Sequence, residues 1–367
     1  MNELHARFLD RSGAPAAPIA LWPALVIARA DIEAEVERLA AQPAPADGRR
    51  TALIIHPSAQ EPGLGLAPGI TVALNVLRPG ERTRPRRHNS TQVDFCLRGG
   101  GQAVVGGAPI AFEQYDVWNT PSMAAYTVVN DRPELQVRLT YSNAALLEKM
   151  NVHVVEDLEA VAARESRPQA AAQRAGSGGE GEPAADEVFP LTEDGACLMT
   201  YERLINPEPV PSRPLHWPWR QVKARLDELA ALGKEYRGRR LYLLFNPATG
   251  RTNGTTHSFF ATITIRPPKI VDRPHRHTSA AINYYFGGRG HSTVEGTRFE
   301  WGAGDLMFSA PGWGVHNHAS YEAPVYELTI QDSPLHIAME SLLWQEDLKG
   351  PVAVLGAEPG FGTNRAA

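Results

Sequence analysis

The stretch Arg-Pro-His-Arg-His-Thr-Ser at residues 273–279, with Gly-Asp-Leu-Met-Phe-Ser-Ala-Pro-Gly-Trp-Gly-Val-His at residues 304–316, decides the fold. Side chains alternate along an extended strand, so His275 and His277 present both imidazoles on one face. Gly304 and Asp305 carry the turn chemistry that separates strands, and the strand after them brings His316 back towards the pair. Three neutral imidazoles converging from a rigid sheet fill half a coordination sphere and leave positions open for substrate and for dioxygen or water. His275, His277 and His316 are therefore read as metal ligands. The competing reading makes them polar core groups of a degraded site. It is the weaker one, because three desolvated imidazoles without a ligand are costly to bury.

Working outward, the same plan occurs twice. In the first half, Ile70 to Glu81 leads to Arg86-Arg-His88, then to Val93 to Ala103, and then to Tyr115 to Tyr126. In the second half, Phe259 to Pro268 leads to His275-Arg-His277, then to Ile282 to His291, and then to Gly304 to His316. Short alternating runs punctuated by Gly, Pro and Asp predict an all-β chain of two double-stranded β-helix (jelly-roll) barrels, with a few flanking helices. The 32 glycines and 30 prolines suit that many tight turns. Helical spacing is confined to Ala30–Gln42, Trp219–Leu232 and a segment around Ala144–Ala163. The expected divisions are an arm and helix over 1–49, a first barrel over 50–163, a second barrel with the metal site over 188–355, and a loose tail over 356–367. Between the barrels, residues 164–187 contain no large apolar side chain and read as a flexible linker. The first barrel has lost its ligands: Arg86 stands in the first histidine's place, His88 remains, and Tyr126 stands in the third place. Arg86 and Arg87 read as a solvated charge run, with an anion site as the sharper alternative.

Composition narrows the class. At 367 residues the chain can bury two modest cores. Its formal net charge of −5 argues against a nucleic-acid surface, and no apolar run approaches the length of a membrane span. The first residues lack the layout of a secretory signal. Only two cysteines occur, Cys96 and Cys197, without metal spacing, which suits a reduced cytoplasmic setting.

The His-x-His and Pro-Gly-Trp-x-x-His elements resemble the cupin superfamily. With Phe245-Asn-Pro-Ala-Thr-Gly and Phe299-Glu-Trp-Gly-Ala-Gly-Asp, they resemble bicupins of the gentisate 1,2-dioxygenase type. The likeness covers roughly residues 50 to 155 and 215 to 347. It implies an Fe(II) cofactor, a small hydroxylated aromatic substrate (gentisate- or salicylate-like), ring cleavage with insertion of both atoms of O2, and a homodimer or homotetramer. Cupins often carry a glutamate shortly after the second histidine. Ala281 and Ile282 stand there, as in the gentisate group, which uses three histidines alone. That group usually holds its iron in the N-terminal barrel, whereas here the complete set is C-terminal. It also tends to place an arginine where this chain has Asn283, which shifts the expected polar groups of the substrate. Two other readings stay open: a non-oxidative metal-dependent cupin (isomerase, lyase or hydrolase), and a non-catalytic small-molecule-binding bicupin.

Around the ligands, strand phase nominates further residues. Asn283 and Tyr285 share the inward phase of the His-x-His pair, His318 shares a face with His316, and His257 sits on an expected strand from Thr255 to Ile265. These four are the catalytic candidates. Trp313 and Trp301 are candidate pocket walls, with Arg266 and His291 as substrate contacts. Against each stands a plainer role: aromatics fill barrel interiors anyway, and a histidine beside a turn is usually at the surface.

Overall fold

The computed structural model describes residues 5–159, 188–233 and 240–361; the expected linker 164–187 lies outside them, as does the end of the expected tail. The chain forms two antiparallel barrels, each with a six-stranded sheet facing smaller sheets. In the second barrel the large sheet runs Leu25–Ile27, Leu306–Ala310, Ala281–Gly287, Val325–Gln331, Phe260–Arg266, Leu241–Leu243. Opposite lie Thr297–Gly302, Arg289–Val294 and His316–Ser320, and a sheet in which Arg276–His277 pairs with Leu343–Gln345. The first barrel repeats this order: His216–Trp217, Val117–Thr120, Gln92–Arg98, Gln136–Ser142, Thr71–Leu77, Arg50–Ile54.

Two edge strands depart from the division drawn from sequence. Leu25–Ile27, in the N-terminal arm, pairs with Leu306–Ala310 of the second barrel. His216–Trp217, from beyond the linker, pairs with Val117–Thr120 of the first. Each half thus supplies the strand that closes the other half's large sheet. A 13-residue helix follows each loaned strand closely: Arg29–Ala41, which buries Ile32, Val36 and Leu39 at helical spacing, and Trp219–Ala231, which buries Leu226 and Leu229. The arm is seated by His56, whose Nε2 lies 2.8 Å from the carbonyl of Pro23 and whose ring stacks on Trp22 at 4.9 Å.

The large sheets pack against each other, and one continuous core spans both barrels. Phe95 meets Tyr284 at 5.8 Å and Phe286 at 5.6 Å between ring centres. Even-numbered residues of Ala281–Gly287 therefore face the neighbouring barrel, while Ala281, Asn283 and Tyr285 face their own interior. Gln92–Arg98 is likewise buried on both faces up to Leu97, with polar Gln92 and Asp94 among its buried side chains.

The third expected helix is shorter than Ala144–Ala163. It spans Ala144–Lys149 and stops where Asn151 turns left-handed at φ 57° and the Val152 N–H donates to the Leu147 carbonyl. Among the described residues no helix is long and apolar enough to cross a membrane.

Candidate metal centre

His277 ends the short strand Arg276–His277, His275 bridges antiparallel to His316, and His316 opens His316–Ser320. The three side chains are buried, and one ligand nitrogen from each lies within 4.8 Å of the others. The backbone sets their tautomers. Each Nδ1 faces a carbonyl: Arg273 at 3.1 Å for His275, Ser279 at 2.9 Å for His277, Gly314 at 3.0 Å for His316. A ring whose Nδ1–H donates to a carbonyl keeps its lone pair on Nε2, and three such lone pairs turn towards one point. Neutral imidazole nitrogens so oriented are suited to a borderline divalent transition metal.

The imidazoles open on a cavity of about 280 Å³ inside the second barrel, lined also by Asn283, His318, Arg266, Glu327 and Trp344. Asn283 is buried and locked: its Nδ2 donates to Thr329 Oγ1 at 2.8 Å, and its Oδ1 accepts from Ser309. His318 also faces the cavity, and its Nδ1 is 2.7 Å from Ser292 Oγ, which accepts the Trp301 indole N–H at 2.9 Å.

The remaining candidates lie elsewhere. Tyr285 has the expected inward phase but sits below the cavity, stacked on Trp301 at 3.7 Å, with its hydroxyl against Met307. Together with Val294 and Val325 they pack the barrel's closed end, and burial pushes the Tyr285 phenol well above its usual range. Trp301 is thus a floor residue rather than a pocket wall. A Cβ at Gly290 would come within 2.5 Å of its ring, so the bare backbone there is what lets the indole lie in place. Trp313 is on the outside, under the Arg276 guanidinium at 4.4 Å. His291 points away from Ser292 and lies 5.6 Å from Tyr321, where burial and Arg298 lower its pKa. His257 is exposed in the bend before the strand, which begins at Phe260.

Arg266 does line the cavity, but its charge is spent within the protein. Its guanidinium binds Asp272 and, at 2.9 Å, Glu327. Burial alone would disfavour its charge, yet the two carboxylates outweigh burial and its pKa is raised.

Sequence reading passed over Trp344. Its ring centre lies 4.5 Å from that of His277 and 5.8 Å from that of His275, so it walls the histidine side of the cavity.

No protein-family model matches the chain. The 5-aminosalicylate 1,2-dioxygenase of Comamonas sp. is 26% identical over 273 residues, which cover 72% of this chain and 66% of that protein, just under two thirds of its length. The 1-hydroxy-2-naphthoate 1,2-dioxygenase of Nocardioides sp. strain KP7 is 26% identical over 85% of this chain and 74% of its own. Among solved structures, salicylate 1,2-dioxygenase from Pseudaminobacter salicylatoxidans shares the fold, with a TM-score of 0.68 at 17% identity over 91% of this chain and 90% of that one. The chain is thus similar, over most of its length, to ring-cleaving 1,2-dioxygenases of hydroxylated aromatic acids, and it shares their bicupin fold.

The bicupin's two barrels are not equivalent. Arg86 pairs in register with Tyr126 as His275 does with His316, and His88 contacts the Ser90 carbonyl at 2.9 Å as His277 does that of Ser279. The first barrel therefore keeps one histidine of three, and burial, helped by Arg86, holds its pKa down to about 4.

Proposed function

We propose that this bicupin is an Fe(II)-dependent ring-cleaving dioxygenase that acts on a small hydroxylated aromatic acid and inserts both atoms of O2 into it. The observation that carries this reading is the set of three carbonyl-anchored imidazoles at the wall of a cavity large enough for one aromatic ring. The donor set fits the metal: His275, His277 and His316 would hold it through Nε2. When bound, iron supplies open coordination positions for an ortho pair of oxygen donors and for dioxygen, together with the electron exchange that ring cleavage requires.

The chain's own residues orient and enclose. Trp344 offers a flat wall beside His277, parallel enough for a planar ring to lie alongside. Asn283 holds a fixed amide in the cavity through Thr329 and Ser309. Because Arg266 is committed to Asp272 and Glu327, recognition of a carboxylate falls to the metal and to neutral donors. That favours a substrate with its hydroxyl next to its carboxylate, the pattern in the names of the relatives above. His318, held by Ser292, can hold or accept a proton near the ring hydroxyl. The packed floor of Tyr285, Trp301 and Met307 keeps water out from below.

A cytoplasmic setting and a homodimer or homotetramer belong to the same proposal. The first is supported by buried Cys96, whose thiol burial pushes up to about 12, and by exposed free Cys197. The second is checked by light scattering.

The direct test is anaerobic reconstitution with Fe(II), followed by oxygen uptake and near-ultraviolet absorbance with salicylate, aminosalicylate, gentisate and hydroxynaphthoate. Stoichiometric uptake with a new ring-fission chromophore, lost in His277→Ala, is the expected result. Retention of iron without uptake on any of these compounds would reject the proposal.

A further inference from the structure

The first barrel holds a cavity of its own, about 210 Å³, which the proposed chemistry leaves unused. Its strand plan matches the second barrel, but its polar groups carry different charges. Asp94 faces Thr140 where the second barrel has Asn283 and Thr329, and Arg138 stands where it has Glu327. Where the second barrel has His275 and His316, Arg86 donates from Nε to the Tyr126 hydroxyl at 2.6 Å. Two guanidinium groups lie near the Tyr126 ring, Arg86 at 5.6 Å and Arg49 at 5.8 Å from its centre.

The charges on this lining do not cancel. Arg138 is neutralised by Asp94 at 3.0 Å, Arg50 by Glu81, and Glu148 faces His153 at 3.3 Å. Arg49 donates to the Arg84 and Asp47 carbonyls, and its one carboxylate is that of half-exposed Asp47, at 3.7 Å. Arg86 has no carboxylate within 4.0 Å among the described residues, although its neighbours Arg84 and Arg87 do, on Glu159 and Glu156. Arg87 is thus the solvated charge and Arg86 the inward one. Burial and the nearby charge of Arg86 both work against Arg49 staying protonated, so the two cations are held together at a cost that an anion would relieve.

Besides the charged groups, the lining includes the apolar side chains Leu64, Ala73, Leu77 and Val128 among polar ones such as Thr51, Gln92 and Ser142. The volume equals that of roughly seven waters, or a single ring bearing one charged group. The geometry points to a second ligand site: the barrel without the histidine triad binds a small monocyclic aromatic carboxylate, its carboxylate on Arg86 and Arg49 and its ring on the apolar wall. Planar guanidinium forks match a carboxylate, and Arg86 needs only to turn from Tyr126 to meet one.

The site needs no metal, so it is tested apart from the dioxygenase reading. Benzoate, which lacks the ortho-hydroxyl for chelation, is titrated calorimetrically into the chelator-treated full chain. One binding event is expected, unchanged in His277→Ala and weakened at least about tenfold in Arg86→Gln, equal to about 1.4 kcal/mol. Arg49→Gln should weaken it likewise and serves as the second variant if the first folds poorly. No binding at millimolar benzoate overturns the proposal. So does binding lost in His277→Ala but intact in Arg86→Gln, which would place benzoate among the histidines. Equal competition by inorganic phosphate would also overturn it, since that anion makes no use of the apolar wall.

Discussion

Trp344 lies face to face with His277, their ring centres 4.5 Å apart and their planes 31° from parallel, and it reaches there on a strand that returns after the barrel has closed. Trp344→Ala should open the wall of the metal cavity, lower stability by about 3 kcal/mol and reduce oxygen uptake roughly 10- to 100-fold. Trp344→Phe, which keeps a flat face, should recover most of the activity. Urea unfolding, iron content and oxygen uptake on the three proteins check this; equal activity in all three would remove Trp344 from the site.

Tyr285 and Trp301 form one stack but should respond differently. Tyr285→Phe loses a long contact to Met307 and a hydrogen bond to Ser292, so stability should change by about 1 kcal/mol and activity by less than about threefold. Trp301→Phe removes the indole N–H that Ser292 accepts while Ser292 holds His318, and about 1–2 kcal/mol of stability should go with it. Paired denaturation and steady-state measurements separate the two.

The Arg266–Glu327 pair is buried at 8% and 4% side-chain exposure, so removing Arg266 strands the Glu327 charge, whereas removing Glu327 leaves Arg266 on Asp272. Arg266→Ala alone should cost about 3–5 kcal/mol, and Glu327→Ala less. The double variant should be less destabilised than the two singles added, and a double-mutant cycle reads that coupling directly.

His88 makes stability depend on pH in a defined window. Its pKa falls from 6.5 to about 4 on folding, so between those values the unfolded chain binds the proton and the folded chain does not. Its contribution is complete above pH 6.5 and is lost as pH drops towards 4, up to about 3 kcal/mol. His88→Gln should flatten this part of the pH profile relative to the parent in urea unfolding. Parallel profiles would refute the assignment.

The convergence of the three histidines was legible because it is local: a His-x-His strand and a turn-delimited return need only the alternation of side chains. The same phase argument placed Asn283 in the cavity. Phase does not say how deep a cavity runs, so Tyr285 and Trp301 counted as lining when they are its floor. Arg266 was nominated as an anion contact because Glu327, 61 residues away, is invisible as its partner from sequence. His257 fell outside because Thr256 Oγ1 accepts the N–H groups of Ser258 and Phe259, closing a turn that delays the strand to Phe260. Trp344 was missed because its place depends on pairing between distant segments, which leaves no spacing signature.

The reciprocal loan of Leu25–Ile27 and His216–Trp217 has a consequence for how this molecule can be taken apart. A gene split between the codons for residues 159 and 188 does not yield two self-sufficient barrels, because each product carries a strand belonging to the other and exposes an unpaired sheet edge of its own. Made separately, the two polypeptides should aggregate; made together, they should recover a soluble pair. The barrel that has lost two of its three histidines is therefore retained by the fold itself, since deleting the N-terminal half would remove a strand beside the complete set.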